Sequence, residues 1–367
     1  MDRSKSIVRI SAIGILVNVV LVVFKMAVGL FTNSIAIILD AVNNLSDALS
    51  SVITIVGTKL AGKAPDKKHP YGYGRIEYIT SITIALLILI TGLTSLRESA
   101  DKILHPQPAS YTAGAILIIA VAVLVKFFLG RYVKAAGLKY SSESLIASGT
   151  EGIFDSAISL STLLAAGVSM WWHVSIEGIL GAAISLLILR SGVETLLSSL
   201  SGIIGARVDG TLSKELKQYI RKYPYVLGAY DLVLHRYGPE RIIGSVHVEL
   251  SDEITARQIH RLSHRIAHDV KRDYGIVLTV GIYASNTANE ASAEMRAQLL
   301  ELISAYPEVL GMHGFYMDEE YHVVSFDIVI DFKALRSTNA RQELIDAMQR
   351  LYPAYRFTIA VDSDYRD

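Results

Sequence analysis

The sequence predicts an all-α membrane domain of six helices, followed by two small α+β modules outside the membrane. Apolar residue types make up 51% of the 367 residues, and the mean hydropathy is +0.38. These values are high for a soluble globular protein of this length. The long apolar runs end near residue 204, and the sequence beyond it has the composition of a soluble domain. The chain therefore contains one region that folds in lipid and another that folds in water.

Charge and cysteine content exclude several classes of function. The formal net charge is zero and the chain contains no cysteine. A chain without a dominant basic face is not expected to bind nucleic acid. The lack of cysteine excludes disulfides and thiolate metal sites. Any metal ligand must therefore be an oxygen or an imidazole nitrogen.

Six segments approach the roughly 20 apolar residues that a helix needs to cross a bilayer. They are residues 10–31, 34–56, 78–96, 113–129, 144–170 and 176–200. The second and fifth segments are the least hydrophobic. Six spans place both termini on the same side of the membrane.

The distribution of Lys and Arg predicts which side that is. Basic residues are concentrated before the first span and in the segments that follow the second and fourth spans: Arg3, Lys5, Arg9, Lys59, Lys63, Lys67, Lys68, Arg75, Arg131, Lys134 and Lys139. The opposite loops carry only Arg97 and Lys102 near the span ends. The positive-inside rule therefore predicts a multi-pass protein of the cell membrane with both termini in the cytoplasm.

The soluble part begins with the pattern of a small α+β module. A helix over 214–222 precedes strands over 229–236 and 242–250, and a helix over 256–274 precedes a strand over 277–283. This order predicts a ferredoxin-like module with an antiparallel sheet.

The same order recurs in the remainder of the chain, which indicates a duplication. Residues 223–228 read Y-P-Y-V-L-G and residues 306–311 read Y-P-E-V-L-G, each after an amphipathic helix and before a strand. The predicted domains are 1–204 in the membrane, 205–284 as the first module, 285–290 as a linker and 291–367 as the second module. The alternative is one larger α+β domain.

Polar residues line one face of the second span. Asp40, Asn43, Asn44 and Asp47 are spaced i, i+3, i+4 and i+7, which places two carboxylates and two amides on one side of a helix. The fifth span has a comparable face: Ser144, Ser148, Glu151, Asp155 and Ser159.

Such faces are costly in lipid, because a charged residue at the centre of a span costs about 3 kcal/mol. The pairs Asn43 with Asp47 and Glu151 with Asp155 have i, i+4 spacing. Two such pairs on facing helices can surround one metal ion with oxygen ligands. Alternatively, a single acid in a span is paired with a basic residue on a neighbouring helix, and the candidate partners are Lys25, Lys126 and Arg190.

Three segments resemble the motifs of one transporter family. Residues 40–47, D-A-V-N-N-L-S-D, resemble the second-span motif of the cation diffusion facilitator family. Residues 142–155, S-E-S-L-I-A-S-G-T-E-G-I-F-D, resemble its fifth-span motif, and residues 69–77, H-P-Y-G-Y-G-R-I-E, resemble its cytoplasmic loop motif. The resemblance covers residues 1–284.

The resemblance implies a transport site made by Asn43, Asp47, Glu151 and Asp155. Family members that move zinc typically have a histidine in this set, and this chain has none. One amide and three carboxylates favour hard cations such as Mn²⁺ over Zn²⁺, which prefers imidazole. An asparagine at position 43 also resembles the manganese-exporting members. Fe²⁺, Co²⁺ and Zn²⁺ remain alternatives.

The resemblance also implies secondary metal positions outside the membrane. Asp66 and His69 match two ligands of a loop site, in which Tyr73 replaces the expected third histidine. His247 and His260 match ligands in the first module, in which Tyr283 replaces another histidine. The chain thus departs from the family pattern at both sites.

The sequence assigns less definite roles to four other residues. Asp40, Lys25 and Arg75 are candidates for structural or gating roles, and His313 in the second module has no assignable counterpart in the family.

The activity that the resemblance implies is efflux of a divalent cation, with Mn²⁺ as the first choice. The implied assembly is a homodimer that works by alternating access. Clustered carboxylates repel one another once the metal leaves and so gain affinity for protons, which makes protons the expected counter-ion. No cofactor and no enzymatic activity are expected, because no catalytic motif is found. The alternative from another class is a membrane metal sensor that transports nothing. The short loops suggest a bacterial source.

Overall fold

A computed structural model of the chain describes residues 3–31, 35–105, 113–172, 177–286, 288–335 and 338–363. These residues form two compact units. One comprises residues 1–206 with 237–240, and the other comprises residues 207–236 with 241–367. Each unit is described below by itself.

The first unit is helical. Its helices are α1 (Arg3–Phe31), α2 (Ile35–Ala61), α3 (Ile76–Leu104), α4 (Ala113–Lys139), α5 (Glu143–Trp172) and α6 (Glu177–Ile204). Within the described residues, three stretches are long and apolar enough to cross a membrane: Arg3–Ala27, Ile76–Leu104 and Gly178–Ile204. These correspond to the first, third and sixth predicted spans. The helices α2 and α5 have similar lengths and carry the polar faces.

The side chains of this unit are distributed as expected for a protein in lipid. Large apolar side chains are exposed on the outside of the helices, among them Leu16, Val23, Leu117, Phe128, Leu186 and Leu197. Polar side chains are buried between the helices, among them Asn18, Asn44, Ser51, Lys126 and Glu151. A water-soluble helical bundle has the opposite arrangement.

Two glycines allow α4 and α5 to approach each other closely. A Cβ atom at Gly149 of α5 would lie 2.4 Å from the backbone nitrogen of Lys134 in α4. A Cβ atom at Gly130 of α4 would lie 2.9 Å from the backbone nitrogen of Ile153. Small residues at such crossings let membrane helices pack backbone to backbone. This packing brings the polar face of α5 against α4.

The second unit contains two modules of the same topology. The first comprises α7 (Gly210–Ile220), β1 (Gly228–Arg236), β2 (Ile242–Ser251), α8 (Ala256–Tyr274) and β3 (Ile276–Ser285). The second comprises α9 (Glu290–Ile303), β4 (Val309–Asp318), β5 (Val323–Ile330), α10 (Ala340–Leu351) and β6 (Arg356–Ser363). The strands form two separate three-stranded sheets, in the orders β1-β2-β3 and β4-β5-β6.

The prediction of antiparallel sheets was wrong in one respect. The pairs β1/β2 and β4/β5 are antiparallel, but β2/β3 and β5/β6 are parallel. In each module a helix connects the two parallel strands. Such a crossover helix carries the chain back to the end of the sheet at which the preceding strand began, and the next strand therefore runs in the same direction.

Each module has its own apolar core. In the first, Leu216 of α7 and Ile266 of α8 pack on Val246 and Val248 of β2. In the second, Leu299 of α9 and Leu344 of α10 pack on Val324 and Phe326 of β5, among others. The helix α8 begins with a capping box formed by Thr255 and Gln258 and ends at Gly275 in the left-handed conformation.

Candidate metal centre

Three of the four predicted transport-site residues line one cavity in the helical unit. Asp47 of α2 borders this cavity together with Glu151 and Asp155 of α5. Glu151 is buried, and Asp47 and Asp155 are partly buried. Apolar side chains from α3 and α6, including Ile88 and Ile188, complete the lining. The helices thus bring the carboxylate of Asp47 together with two carboxylates that lie about 100 residues later in the sequence.

The side chains of two further residues of the polar face of α2, Asn43 and Asp40, lie outside the described residues. Their backbone belongs to α2, where position 43 lies one turn before Asp47.

A lysine on α4 pairs with two of the three carboxylates. The side chain of Lys126 is 3% exposed, and its Nζ lies 2.8 Å from Oδ2 of Asp47. The same ammonium group also forms an ion pair with Asp155. Lys126 was one of the three basic residues considered as partners for an acid in a span. The structure identifies it as the partner of the second and fifth spans together.

The ion pair between Lys126 and Asp47 also borders a second cavity. It is bordered by Asp47 and Lys126, by Asn18 of α1, and by Ser51 and Ser148. Asp47 therefore borders two polar cavities within the helical unit. Ionisable groups at such a position are commonly part of an ion or proton pathway.

Two further buried polar residues lie on α1 and α2. Both amide atoms of Asn44 are buried, and no hydrogen-bond partner is found for them in the part of the chain that the structure describes. Lys25 on α1 is 1% exposed. From the sequence, Lys25 is a candidate for a structural or gating role.

The segment 66–73, which includes the start of the loop motif, forms a turn closed by its own side chains. The carboxylate of Asp66 accepts hydrogen bonds from the hydroxyl of Tyr73 at 2.6 Å and from the backbone of Lys68 and His69. The hydrogen bond from Tyr73 lowers the pKa of Asp66 to about 2. Asp66 and His69 are therefore close together, and the hydroxyl of Tyr73 contacts the other oxygen of the carboxylate.

The end of this motif anchors α1. Glu77 is buried at the start of α3, and Nη2 of Arg3 donates to both of its carboxylate oxygens at 2.8 and 3.0 Å. Nε of Arg3 donates to the carbonyl of Tyr140. Arg75 lies at the N-cap of α3, and its Nε is buried without a hydrogen-bond partner among the described residues.

The two predicted histidine ligands of the first module are in different environments. Nδ1 of His247 lies 3.0 Å from Oδ2 of Asp231, and its ring packs against Tyr283. His260 is exposed on α8 next to His264, with their ring centroids 6.1 Å apart. No described contact joins His247 to His260.

Sequence reasoning missed a cluster in which the two modules meet. Asp231 of β1, His313 of β4, Asp327 of β5 and Asp362 of β6 place one ligand atom each within 4.8 Å of one another. Burial and the charges of Asp231 and Asp327 raise the pKa of Asp362 to about 6. Burial alone would lower the pKa of His313, but Asp231, Asp327 and Asp362 together outweigh burial and raise it. His313 had been noted in the sequence without a role, and the three acids gave no signal because they are far apart in the chain.

Comparison with known proteins shows two family matches. The cation efflux transmembrane domain matches residues 11–204, and the cation efflux protein cytoplasmic domain matches residues 208–282. These matches cover the helical unit and the first module.

Three related proteins match a similar part of the chain. An uncharacterized transporter of Methanocaldococcus jannaschii is 27% identical over 66% of this chain and 86% of its own length. Metal tolerance protein 2 of Oryza sativa is 27% identical over 75% of this chain and 77% of its own length. The manganese efflux system protein MneS of Bacillus subtilis is 24% identical over 72% of this chain and 90% of its own length.

Proposed function

The chain belongs to the cation diffusion facilitator family of divalent metal cation efflux transporters, and on this premise we propose that it exports Mn²⁺ in exchange for protons. The observation that carries the proposal is the convergence of Asp47, Glu151 and Asp155 on one cavity. With Asn43 one turn away on α2, these residues form the transport site. Members of this family are transporters and not enzymes.

The donor set supports manganese. Carboxylate and amide oxygens suit Mn²⁺ better than Zn²⁺, for which imidazole and thiolate are the preferred ligands. No histidine occupies any of the four positions. One of the relatives, MneS, is named as a manganese efflux system protein. Fe²⁺, Co²⁺ and Zn²⁺ are the alternatives that a direct measurement must separate.

The charge of the site supports exchange. Three carboxylates and the ammonium of Lys126 leave two negative charges, which one divalent cation can neutralise. When the metal leaves, Lys126 and protons remain to neutralise the carboxylates. Metal and protons thus compete for the same oxygens, which is what an exchanger requires.

The membrane arrangement that we propose has six spans with both termini in the cytoplasm. The proposed division is residues 1–204 in the membrane, 205–284 as the first ferredoxin-like module, 285–290 as a linker and 291–367 as the second. The first module pairs with that of a second copy, and the homodimer alternates access to the metal site between the two sides. The match of residues 208–282 to the family's cytoplasmic domain supports the first module's role.

The test is transport by the purified full-length chain in liposomes. A metal-sensitive dye inside the vesicles reports the uptake of Mn²⁺, Fe²⁺, Co²⁺ or Zn²⁺, and a pH-sensitive dye reports proton movement. We expect uptake to be fastest for Mn²⁺. An acidic vesicle lumen should accelerate this uptake, and protons should leave the lumen as Mn²⁺ enters.

Ligand substitutions complete the test. Asp47→Ala and Asp155→Ala should each reduce uptake to the level of protein-free vesicles, because each removes an oxygen ligand. Lys126 keeps one carboxylate partner in either variant, so insertion and folding should survive. Asp101→Ala, at the exposed end of α3, is the matched control. Wild-type uptake by either ligand variant would refute the site, and metal binding without uptake by the wild-type chain would indicate a sensor.

A further inference from the structure

The two modules meet at positions that are equivalent in the duplication. The turn sequences at 223–228 and 306–311 place Tyr230 opposite His313 in the alignment and Asp231 opposite Gly314. The rings of Tyr230 and His313 stack with their centroids 4.9 Å apart and their planes 3° apart. The first strands of the two sheets, β1 and β4, thus contact each other through residues at equivalent positions of the duplication.

Both of these strands have an irregularity at this point. The register of β1 against β2 shifts between Tyr230 and Val233, and the register of β4 against β5 shifts between His313 and Tyr316. Asp231 has φ +48° and Gly314 has φ +63°. Aspartate is one of the few residues other than glycine that tolerate this left-handed conformation. Bulges of this kind re-aim side chains, and here one directs the carboxylate of Asp231 toward the second module.

Three carboxylates and one imidazole converge there. Asp231 comes from the first module, and His313, Asp327 and Asp362 come from three strands of the second. The ion pairs described for these carboxylates are formed with histidines: His247 and His313 for Asp231, and His313 for Asp362. The cluster therefore carries more negative charge than the histidines can neutralise.

The buried nitrogen of His313 is not satisfied by this arrangement. The side chain is 4% exposed, and Nε2 lies 2.7 Å from Oδ1 of Asp231 and 3.2 Å from Oδ2 of Asp362. No hydrogen bond with suitable geometry is found for this atom within the described part of the chain. A buried polar atom without a well-formed hydrogen bond is uncommon and costly. Here it points between two carboxylates, where a cation would accept it as a ligand.

The contacts of the Tyr283 hydroxyl also indicate that the cluster lacks positive charge. It lies 2.6 Å from Oδ2 of Asp231 and 2.5 Å from Oδ2 of Asp327. A hydroxyl has one proton and can donate to only one of these oxygens at a time. One of the two carboxylates therefore faces the tyrosine oxygen with no proton between the two oxygens. A bound cation or an additional proton would relieve this contact.

We propose that Asp231, His313, Asp327 and Asp362 bind a divalent transition-metal ion that joins the two cytoplasmic modules. One imidazole nitrogen and three carboxylates form a mixed set that suits Mn²⁺, Fe²⁺ and Zn²⁺. The ion supplies the positive charge that the histidines lack, and it gives Nε2 of His313 a direct bond in place of the poorly aligned contacts. This site is separate from the transport site and does not depend on the proposed metal specificity. Three of its four ligands belong to residues beyond the two family matches.

The test uses the full-length chain in detergent with the transport site disabled by Asp47→Ala and Glu151→Gln, which leave Asp155 to pair with Lys126. In this background we expect one Mn²⁺ to bind per chain in equilibrium dialysis. Electron spin-echo measurements on the bound Mn²⁺ should show coupling to one imidazole nitrogen. Binding should also raise the temperature at which the cytoplasmic unit unfolds.

Variants of the cluster decide the result. Adding His313→Gln should remove the nitrogen coupling, and adding Asp327→Asn with Asp362→Asn should weaken binding at least about tenfold. Glu294→Gln with Asp346→Asn, on the exposed faces of α9 and α10, is the matched control and should change neither. Gel filtration and circular dichroism verify that each variant is folded. An absence of binding in the background protein, or binding that the cluster variants leave intact, would overturn the proposal.

Discussion

Lys126 of α4 and Asp47 of α2 form an ion pair inside the helical unit, with Nζ of the lysine 2.8 Å from Oδ2 of the aspartate. The same ammonium group pairs with Asp155 of α5. A cation attached to the protein therefore occupies the oxygens that we assign to the transported metal. Metal binding in this site requires the ammonium to move away from at least one carboxylate. Lys126 is thus a direct competitor of the substrate.

The first prediction concerns Lys126→Gln. Removing the competing ammonium should lower the KM for Mn²⁺ by about tenfold, which corresponds to about 1.4 kcal/mol. The maximal rate should fall, because the carboxylates then hold the metal more tightly and release it more slowly. Uptake by proteoliposomes over a range of Mn²⁺ concentrations measures both values.

The control for this prediction is Lys139→Gln, which removes an exposed lysine at the end of the same helix. Its KM and rate should equal those of the wild type. A higher KM in Lys126→Gln would contradict the competition and would show that the lysine holds the site in its binding geometry.

The carboxylates of the site could be predicted from the sequence, but the lysine's position could not. The i, i+4 spacing of Glu151 and Asp155 is a local property of one helix, and the sequence displays it directly. Which neighbouring helix covers that face depends on packing, here on the close contact of Gly130 with α5. From the sequence, Lys126 was therefore only one of three basic residues that could pair with an acid in a span.

The second prediction concerns metal selectivity. Replacing Asn43 and Glu151 together by histidine should raise the ratio of Zn²⁺ uptake to Mn²⁺ uptake, because imidazole suits Zn²⁺ better than Mn²⁺. Competition between the two metals in the liposome assay measures this ratio. An unchanged ratio in a variant that still transports would show that these positions do not determine selectivity.

The third prediction concerns the ion pair between Arg3 and Glu77. Both oxygens of the Glu77 carboxylate accept from Arg3, and the carboxylate is buried. Arg3→Ala should leave this charge without its partner and cost about 3 kcal/mol. The melting temperature of the helical unit in detergent should fall by about 6 °C or more.

A double substitution distinguishes the ion pair from a general effect of changing the N-terminus. Arg3→Ala with Glu77→Gln should be more stable than Arg3→Ala alone, because the neutral amide is easier to bury. Arg9→Ala removes an exposed arginine of α1 and should leave the melting temperature unchanged. Equal melting temperatures for the single and double variants would contradict the prediction.

The order of helices and strands in the soluble part was also evident from the sequence, and the strand directions were not. The helix predicted at 256–274 has the bounds of α8, Ala256–Tyr274. Apolar periodicity and the Thr255 cap are local signals that fix such bounds. The parallel direction of β2 and β3 results from the crossover made by α8. The cluster around His313 results from the contact between the two modules. Neither leaves a local pattern in the chain.

The last prediction concerns the second module. Asn286, at the end of β3, accepts a hydrogen bond from the backbone of Met317 in β4 and donates one to Asp252. Together with the contact of Tyr283 with Asp327, this ties the two modules to each other.

A chain that ends at Asn286 loses these contacts but keeps the whole core of the first module, since all residues of that core precede position 286. It also keeps every residue of the proposed transport site. We therefore expect the shortened chain to insert, to form dimers and to transport Mn²⁺, at a rate reduced by less than about tenfold. Cross-linking in membranes, gel filtration and liposome uptake measure the three properties. A shortened chain that inserts and dimerises but transports nothing would mean that the second module takes part in the movement itself, and the proposed division of the chain would then be wrong.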